Sequence, residues 1–179
     1  MSINSADLPS LISSVPGTEP VGFAVADLLA EIALEVETTM GPDIMLEIVV
    51  PSAIPGVSCS RDRLRDAVIQ LLANARDALP TGGTISIEAA LNNHRSDAKA
   101  VELRVVDSGI GMERETLRRA VEPFFTTKTT GLGGLGLTIV GHFADDIGGR
   151  FHLHSELGIG TRATLLLPLS SGSAVQAAP

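Results

Sequence analysis

The sequence predicts an α/β fold, a two-layer sandwich with a mixed sheet. Three observations carry that expectation. Apolar residues recur at helical spacing in three separate stretches, 22–40, 60–79 and 135–147. Alternating apolar and polar residues mark hairpin-like strand pairs after the second and third of these, at 84–91 with 101–107 and at 150–155 with 161–167. Glycine and proline clusters separate the segments. The chain has 179 residues, so one domain with its own core is expected.

The elements follow in order. Residues 1–20 are rich in Ser, Pro and Gly and read as a linker or frayed arm. The folded domain is expected over 21–169. Val25, Leu28, Leu29, Ile32 and Val36 give the first helix its stripe, and Gly41-Pro42 stops it. Ile44–Val50 is β-rich, and Pro51 to Ser58 reads as a turn-rich loop. Ser60 is a candidate N-cap for a helix running to Leu79, with Leu64, Ala67, Val68, Leu71, Leu72, Ala75 and Leu79 as its apolar stripe. Pro80-Thr81-Gly82-Gly83 ends that helix. Asn92 to Lys99 is a polar hairpin loop, and Glu113 to Val121 a short helix. Residues 122–136 hold four glycines and four threonines and read as a mobile loop. Gly148-Gly149 closes the helix from Leu135 to Ile147, and Gly158-Ile159-Gly160 turns the last hairpin. Residues 170–179 read as a disordered tail. No repeat is visible.

Composition narrows the function classes. Net charge is −8, which argues against nucleic acid and anionic membrane as partners. An anionic ligand would have to be held by a local site. The single cysteine, Cys59, excludes an internal disulfide, suits a reducing compartment and reads as a small semi-buried hydrophobe. No apolar run approaches the roughly 18–20 residues of a membrane span, and residues 1–17 lack the basic start of a signal peptide. A cytoplasmic location is expected, although a longer parent could be membrane-anchored.

Three pieces carry chemistry. Residues advance about 100° around a helix, so Gln70, Asn74 and Asp77 form one polar strip beside the apolar stripe, with Arg76 on the other flank. Polar groups at the edge of a buried face can line a cleft, and an Asn amide oxygen suits Mg²⁺, which prefers hard oxygen ligands. The bland alternative is an amphipathic helix with ordinary boundary polar residues. Second, Asp107 shares strand parity with Val101, Leu103 and Val105, so its carboxylate should point to their buried face and need donors there. The amino group of adenine is one such donor. Gly109 and Gly111 let the backbone turn tightly against a flat ring; the alternative is a plain Asp-Ser-Gly turn. Third, Gly131 to Leu137 puts glycine-rich backbone at a helix N-terminus, where N–H groups and the helix dipole favour phosphate. Lys128, one of two lysines, lies just before it. The stretch is neither a P-loop nor a dinucleotide fingerprint. Glu122 to Lys128, with adjacent Phe124 and Phe125, would anchor this loop to the core.

The order of these pieces resembles the ATP-binding catalytic domain of sensor histidine kinases, within the ATPase superfamily shared with gyrase, the mismatch-repair ATPases and a heat-shock chaperone. Leu71 to Ala78 resembles the N box, Asp107 to Gly111 the first glycine box, Glu122 to Lys128 the F box, and Gly134-Leu135-Gly136-Leu137 the core of the second glycine box. Thr161 to Pro168 is similar to the closing strand. The likeness covers roughly 22–168, and four ordered motifs are far more specific than any one alone. It implies a sandwich with helices on one face of a mixed, mostly antiparallel sheet. It implies Mg²⁺ on Asn74, the adenine amino group on Asp107, an adenine pocket shaped by Gly109 and Gly111, and phosphates held at Gly134 and Gly136. Asp77, Lys128, Gly131, Gly133, Leu135 and Thr164 complete the implied nucleotide-binding set, with Asn74 and Gln70 as catalytic positions and ATP and Mg²⁺ as cofactors.

Two departures stand out. Gln70 occupies the position where such kinases usually have Asn and hydrolysing relatives have a Glu base. A neutral amide takes no proton from water at pH 7, which argues against gyrase-type hydrolysis. Leu132 stands where the family often has Gly. None of His94, His142, His152 and His154 is followed by an acidic residue, as the family's phosphoacceptor is. They read as solvent-facing or packed structural residues. The sequence therefore predicts γ-phosphoryl transfer from Mg-ATP to a histidine on a helical dimerisation domain outside this chain, with a response-regulator receiver as further partner. The alternative is a non-catalytic nucleotide-sensing or interaction module.

Overall fold

The computed structural model describes residues 22–51, 53–92, 99–123, 125 and 134–170. They form helices α1 (Val25–Met40), α2 (Arg61–Asp77), α3 (Arg114–Arg119) and α4 (Gly136–Asp146). The strands are β1 (Ile44–Val49), β2 (Gly83–Asn92), β3 (Ala100–Asp107), β4 (Arg150–Glu156) and β5 (Gly160–Pro168). The sheet order is β1-β2-β3-β5-β4. β1 runs parallel to β2, and the remaining neighbours are antiparallel. This is the mixed, mostly antiparallel sheet expected.

The helical stripes pack on one face. Val25, Leu28, Leu29 and Ile32 of α1, Leu64, Val68 and Leu72 of α2, and Val140 and Phe143 of α4 join one core with Ile85, Ile87, Leu103, Leu165 and Leu167 of the sheet. Period-two alternation sends the intervening side chains to the opposite face. There Arg104 pairs with Glu102 at 2.8 Å and with Glu88 at 3.5 Å. His142, His152 and His154 are exposed, as expected; His94 lies outside the described residues. Cys59 is buried in the core, and burial pushes its thiol up to about 11. Among the described residues no helix is long and apolar enough to cross a membrane.

Ser60 caps α2, its Oγ accepting from Arg63 N at 3.4 Å. The first helix starts at Val25 instead of residue 22, because Phe23 is drawn into a β-bridge with Val57, whose N–H donates to Phe23 O at 3.3 Å. Val57 also bridges Leu169. The loop from Pro51 to Ser58 is therefore tethered: Ile54 and Val57 are buried, and its end is stitched between the two ends of the described chain. The arm 1–20, most of the loop after Phe125, and the tail beyond Ser170 lie outside the described residues.

Candidate functional site

The strand parity that buries Val101, Leu103 and Val105 also buries Asp107, which is 7% exposed. β3 ends at this carboxylate, on the floor of a cleft of about 220 Å³. Leu71 and Ala75 of α2, Val105, Leu137, Leu153 and Ala163 give it apolar walls. Asn74, Asp77, Asp107, Thr116 and Thr161 supply polar groups.

Burying a carboxylate is costly unless donors meet it. Asp107 Oδ1 accepts from Gly109 N at 2.9 Å and from Thr161 N at 3.2 Å. Oδ2 accepts no hydrogen bond among the described residues, so an acceptor remains for a ligand. Desolvation raises the Asp107 pKa from its ordinary value, and the two backbone donors oppose that shift. An acceptor at the floor of an apolar-walled cleft suits a flat ligand carrying an amino group.

The loop after Asp107 is held from both sides. A Cβ on Gly109 would stand 2.3 Å from Ala78 O, so only glycine lets the loop lie against the end of α2. Ile110 N donates to that same carbonyl at 2.9 Å. Gly111 adopts φ +63, and a Cβ there would meet Glu156 O at 2.0 Å. Gly158 N, in the β4–β5 turn, donates to Ile110 O at 2.7 Å. Gly111 lines the cleft, whereas Gly109 lies against the end of α2 and does not; the clamp by the last hairpin is non-local and was not legible in the sequence.

Across the cleft, α4 starts against the polar strip of α2. A Cβ on Gly136 would stand 2.9 Å from Gln70 Oε1 and 3.6 Å from Asn74 Nδ2. The missing side chain thus brings the N-terminal turn of α4, with its outward N–H groups and positive dipole end, beside both amides. Asn74 and Gly136 line the cleft; Gln70 stands behind Gly136 and does not. Asp77 lines the cleft too. Arg76 is not confined to the opposite flank: its long side chain curls back to pair with Asp77 at 3.0 Å.

Several expected residues fall elsewhere. Thr164 shares parity with Arg162 and Leu166 and stands in register with Arg104 and His152, on the sheet face away from the cleft. Thr161 and Ala163 line the cleft in its place. The signal was available, since Thr161 and Ala163 share parity with Leu165 and Leu167. Leu135 precedes α4 as its N-cap residue, is 39% exposed and lines no part of the cleft. Gly134 does line it. Lys128, Gly131 and Gly133 lie outside the described residues. Met112, Thr116, Ala120 and Phe125 complete the cleft on the α3 side, where sequence reasoning named only the Phe.

The chain has known counterparts. The family described as histidine kinase-, DNA gyrase B- and HSP90-like ATPase matches residues 59–171. The chain is similar to the sensor kinase CckA of Brucella abortus, with 34% identity over 160 residues, covering 83% of this chain and 17% of that protein. It therefore spans a small part of such a relative. Among solved structures it is similar to the catalytic domain of histidine kinase ThkA, at a TM-score of 0.69 and 26% identity, covering 82% of this chain and 93% of that one. It is also similar to full-length ShkA in complex with AMPPNP, at a TM-score of 0.72 and 25% identity, covering 86% of this chain and 32% of that one.

Proposed function

This chain belongs to the histidine kinase-, DNA gyrase B- and HSP90-like ATPase family, and from that premise we propose that it is the catalytic domain of a two-component sensor kinase. In this reading its cleft binds Mg-ATP, and the γ-phosphoryl passes to a histidine on a helical dimerisation domain outside the chain. A response-regulator receiver then takes the phosphoryl group. The observation that carries the reading is the buried Asp107 carboxylate, fixed by two backbone donors opposite a helix N-terminus.

The roles follow from position. Asp107 reads the adenine amino group. Gly109 seats the loop against α2, and Gly111, which lines the cleft, lets the backbone approach the ring. Gly134 and Gly136 place the first turn of α4 at the phosphates, where helix dipole and N–H groups meet negative charge. Asn74 is an amide that lines the cleft beside that turn, and Mg²⁺ accepts a single protein ligand when phosphates and waters complete its shell. The residues present therefore fit the ion. When bound, Mg²⁺ neutralises phosphate charge, which is much of what phosphoryl transfer needs. Gln70, an amide against Gly136, offers no base to activate water. That favours transfer to an acceptor protein over release of free phosphate.

The test joins the chain to a dimerisation hairpin bearing an acceptor histidine and follows label from γ-labelled ATP. Acid-labile label on the hairpin is expected, and its loss with Asp107→Asn. A second reading rests on Gln70: a nucleotide-sensing module that binds ATP without transferring it. Tight binding of a non-hydrolysable analogue with no label transferred would establish that module instead.

A further inference from the structure

Arg119 ends α3, and its guanidinium lies over the Phe125 ring, with Cζ 4.3 Å from the centroid. Its Nε also donates to Glu122 Oε2 at 3.2 Å. Backbone bonds fold the stretch between them into a tight turn. Glu122 N donates to Arg119 O at 2.8 Å, and Phe125 N donates to Glu122 O at 3.2 Å. Thr138 Oγ1 on α4 donates to Val121 O at 3.2 Å and ties the turn to the helix whose start faces Asn74. Within this turn Phe125 lines the cleft, and it is the only aromatic side chain that does so among the described residues. Arg119 itself lines no part of the cleft.

We propose that Arg119 is a positioning residue for nucleotide binding, acting through its cation over the Phe125 ring to hold that ring in the cleft wall. The proposal rests on the reading of the cleft as a nucleotide site and deepens it. Backbone bonds alone set the path of the turn but leave the ring's own torsions free. A planar guanidinium stacks on a ring better than an ammonium does. Glu122 fixes the guanidinium in turn, and Arg119 stays exposed, so its charge is not stripped of water. A fixed aromatic face is of use to a cleft that takes a base, because rings and bases stack.

The whole chain is titrated calorimetrically with Mg²⁺ and AMPPNP. Arg119→Ala is expected to weaken binding about two- to fivefold, the worth of an exposed cation over a ring. Arg119→Lys should retain more affinity than Arg119→Gln, which keeps bulk without charge. In a Phe125→Leu background, which keeps an apolar wall without a π face, Arg119→Ala should add no further loss. Wild-type affinity in Arg119→Ala, equal affinities of the Lys and Gln variants, or an equal Arg119→Ala loss in both backgrounds would each overturn the proposal. Circular dichroism verifies folding; if Phe125→Leu does not fold, the Lys and Gln comparison decides alone. Failure of the wild-type chain to bind AMPPNP would instead remove the nucleotide reading beneath it.

Discussion

Asp107→Asn changes one oxygen to an NH₂ group, and its effects on affinity and on stability have opposite signs. The carboxamide oxygen can keep both backbone bonds, from Gly109 N and Thr161 N, that Oδ1 now accepts. What disappears is the charged acceptor at Oδ2, and a donor then faces the donor of the adenine amino group. A hydrogen bond to a charged group contributes about 1.5–3 kcal/mol, so affinity for an ATP analogue should fall about ten- to 150-fold. The free protein should behave differently. Burial raises the Asp107 pKa in the folded state, so the protonated form is the one that folding favours. Its stabilising contribution is complete below the unfolded-state value and is lost as pH rises through the folded one. At neutral pH the ionised carboxylate is thus a burden to the empty protein, and Asp107→Asn should be at least as stable as wild type. Stability of the wild type from this group should rise as pH falls through the raised pKa, and the variant should lack that rise. Nucleotide affinity should run the other way in the wild type, weakening as the carboxylate protonates. Calorimetric titration and thermal melts across a pH series measure both. A variant that binds like wild type, or one that loses affinity only because it unfolds, would refute the reasoning.

Further outcomes follow from the same geometry. Chelating Mg²⁺ should weaken ATP binding and leave adenosine binding unchanged, and Asn74→Ala should reproduce the chelator's effect; isothermal titration with each ligand reads both. Gly111→Ala combines a left-handed backbone at φ +63 with a Cβ placed 2.0 Å from Glu156 O. It should cost roughly 2–5 kcal/mol in urea unfolding, summing the left-handed penalty and an overpacking clash. Gly136→Ala should lose nucleotide affinity because its Cβ meets Gln70 Oε1, and Gln70→Ala in the same chain should restore part of it. Thr164→Val should leave binding unchanged in a fluorescent-nucleotide assay, since Thr164 lies on the other sheet face.

Much of this architecture was legible because its determinants are local. Ser60 announces α2 through capping chemistry, and the stripe behind it needs only helical spacing. Asp107 could be placed on the buried face by counting two residues at a time from Val101. Its role as acceptor followed from the cost of burying a charge. Some of the errors lie where partners are distant in sequence. Phe23 leaves the expected first helix because Val57 claims its backbone, and no periodicity announces that bridge. Arg76 reaches Asp77 because a long side chain is not bound to its backbone's flank. Thr161, opposite Asp107 in the β3–β5 register, donates to the carboxylate, yet antiparallel register is not written in either strand alone. Thr164 is the instructive miss, since it is out of parity with Leu165, which alone puts it on the face away from the cleft.

In the proposed function, one cleft reads a purine with Asp107 and holds phosphates at the start of α4 beside Asn74. A crystal structure of the chain with Mg²⁺ and AMPPNP tests it most directly. The adenine amino group is expected within hydrogen-bonding distance of Asp107 Oδ2, and the phosphates at the N–H groups around Gly136. A nucleotide seated elsewhere, or turned so that its phosphates meet Asp107, would contradict it.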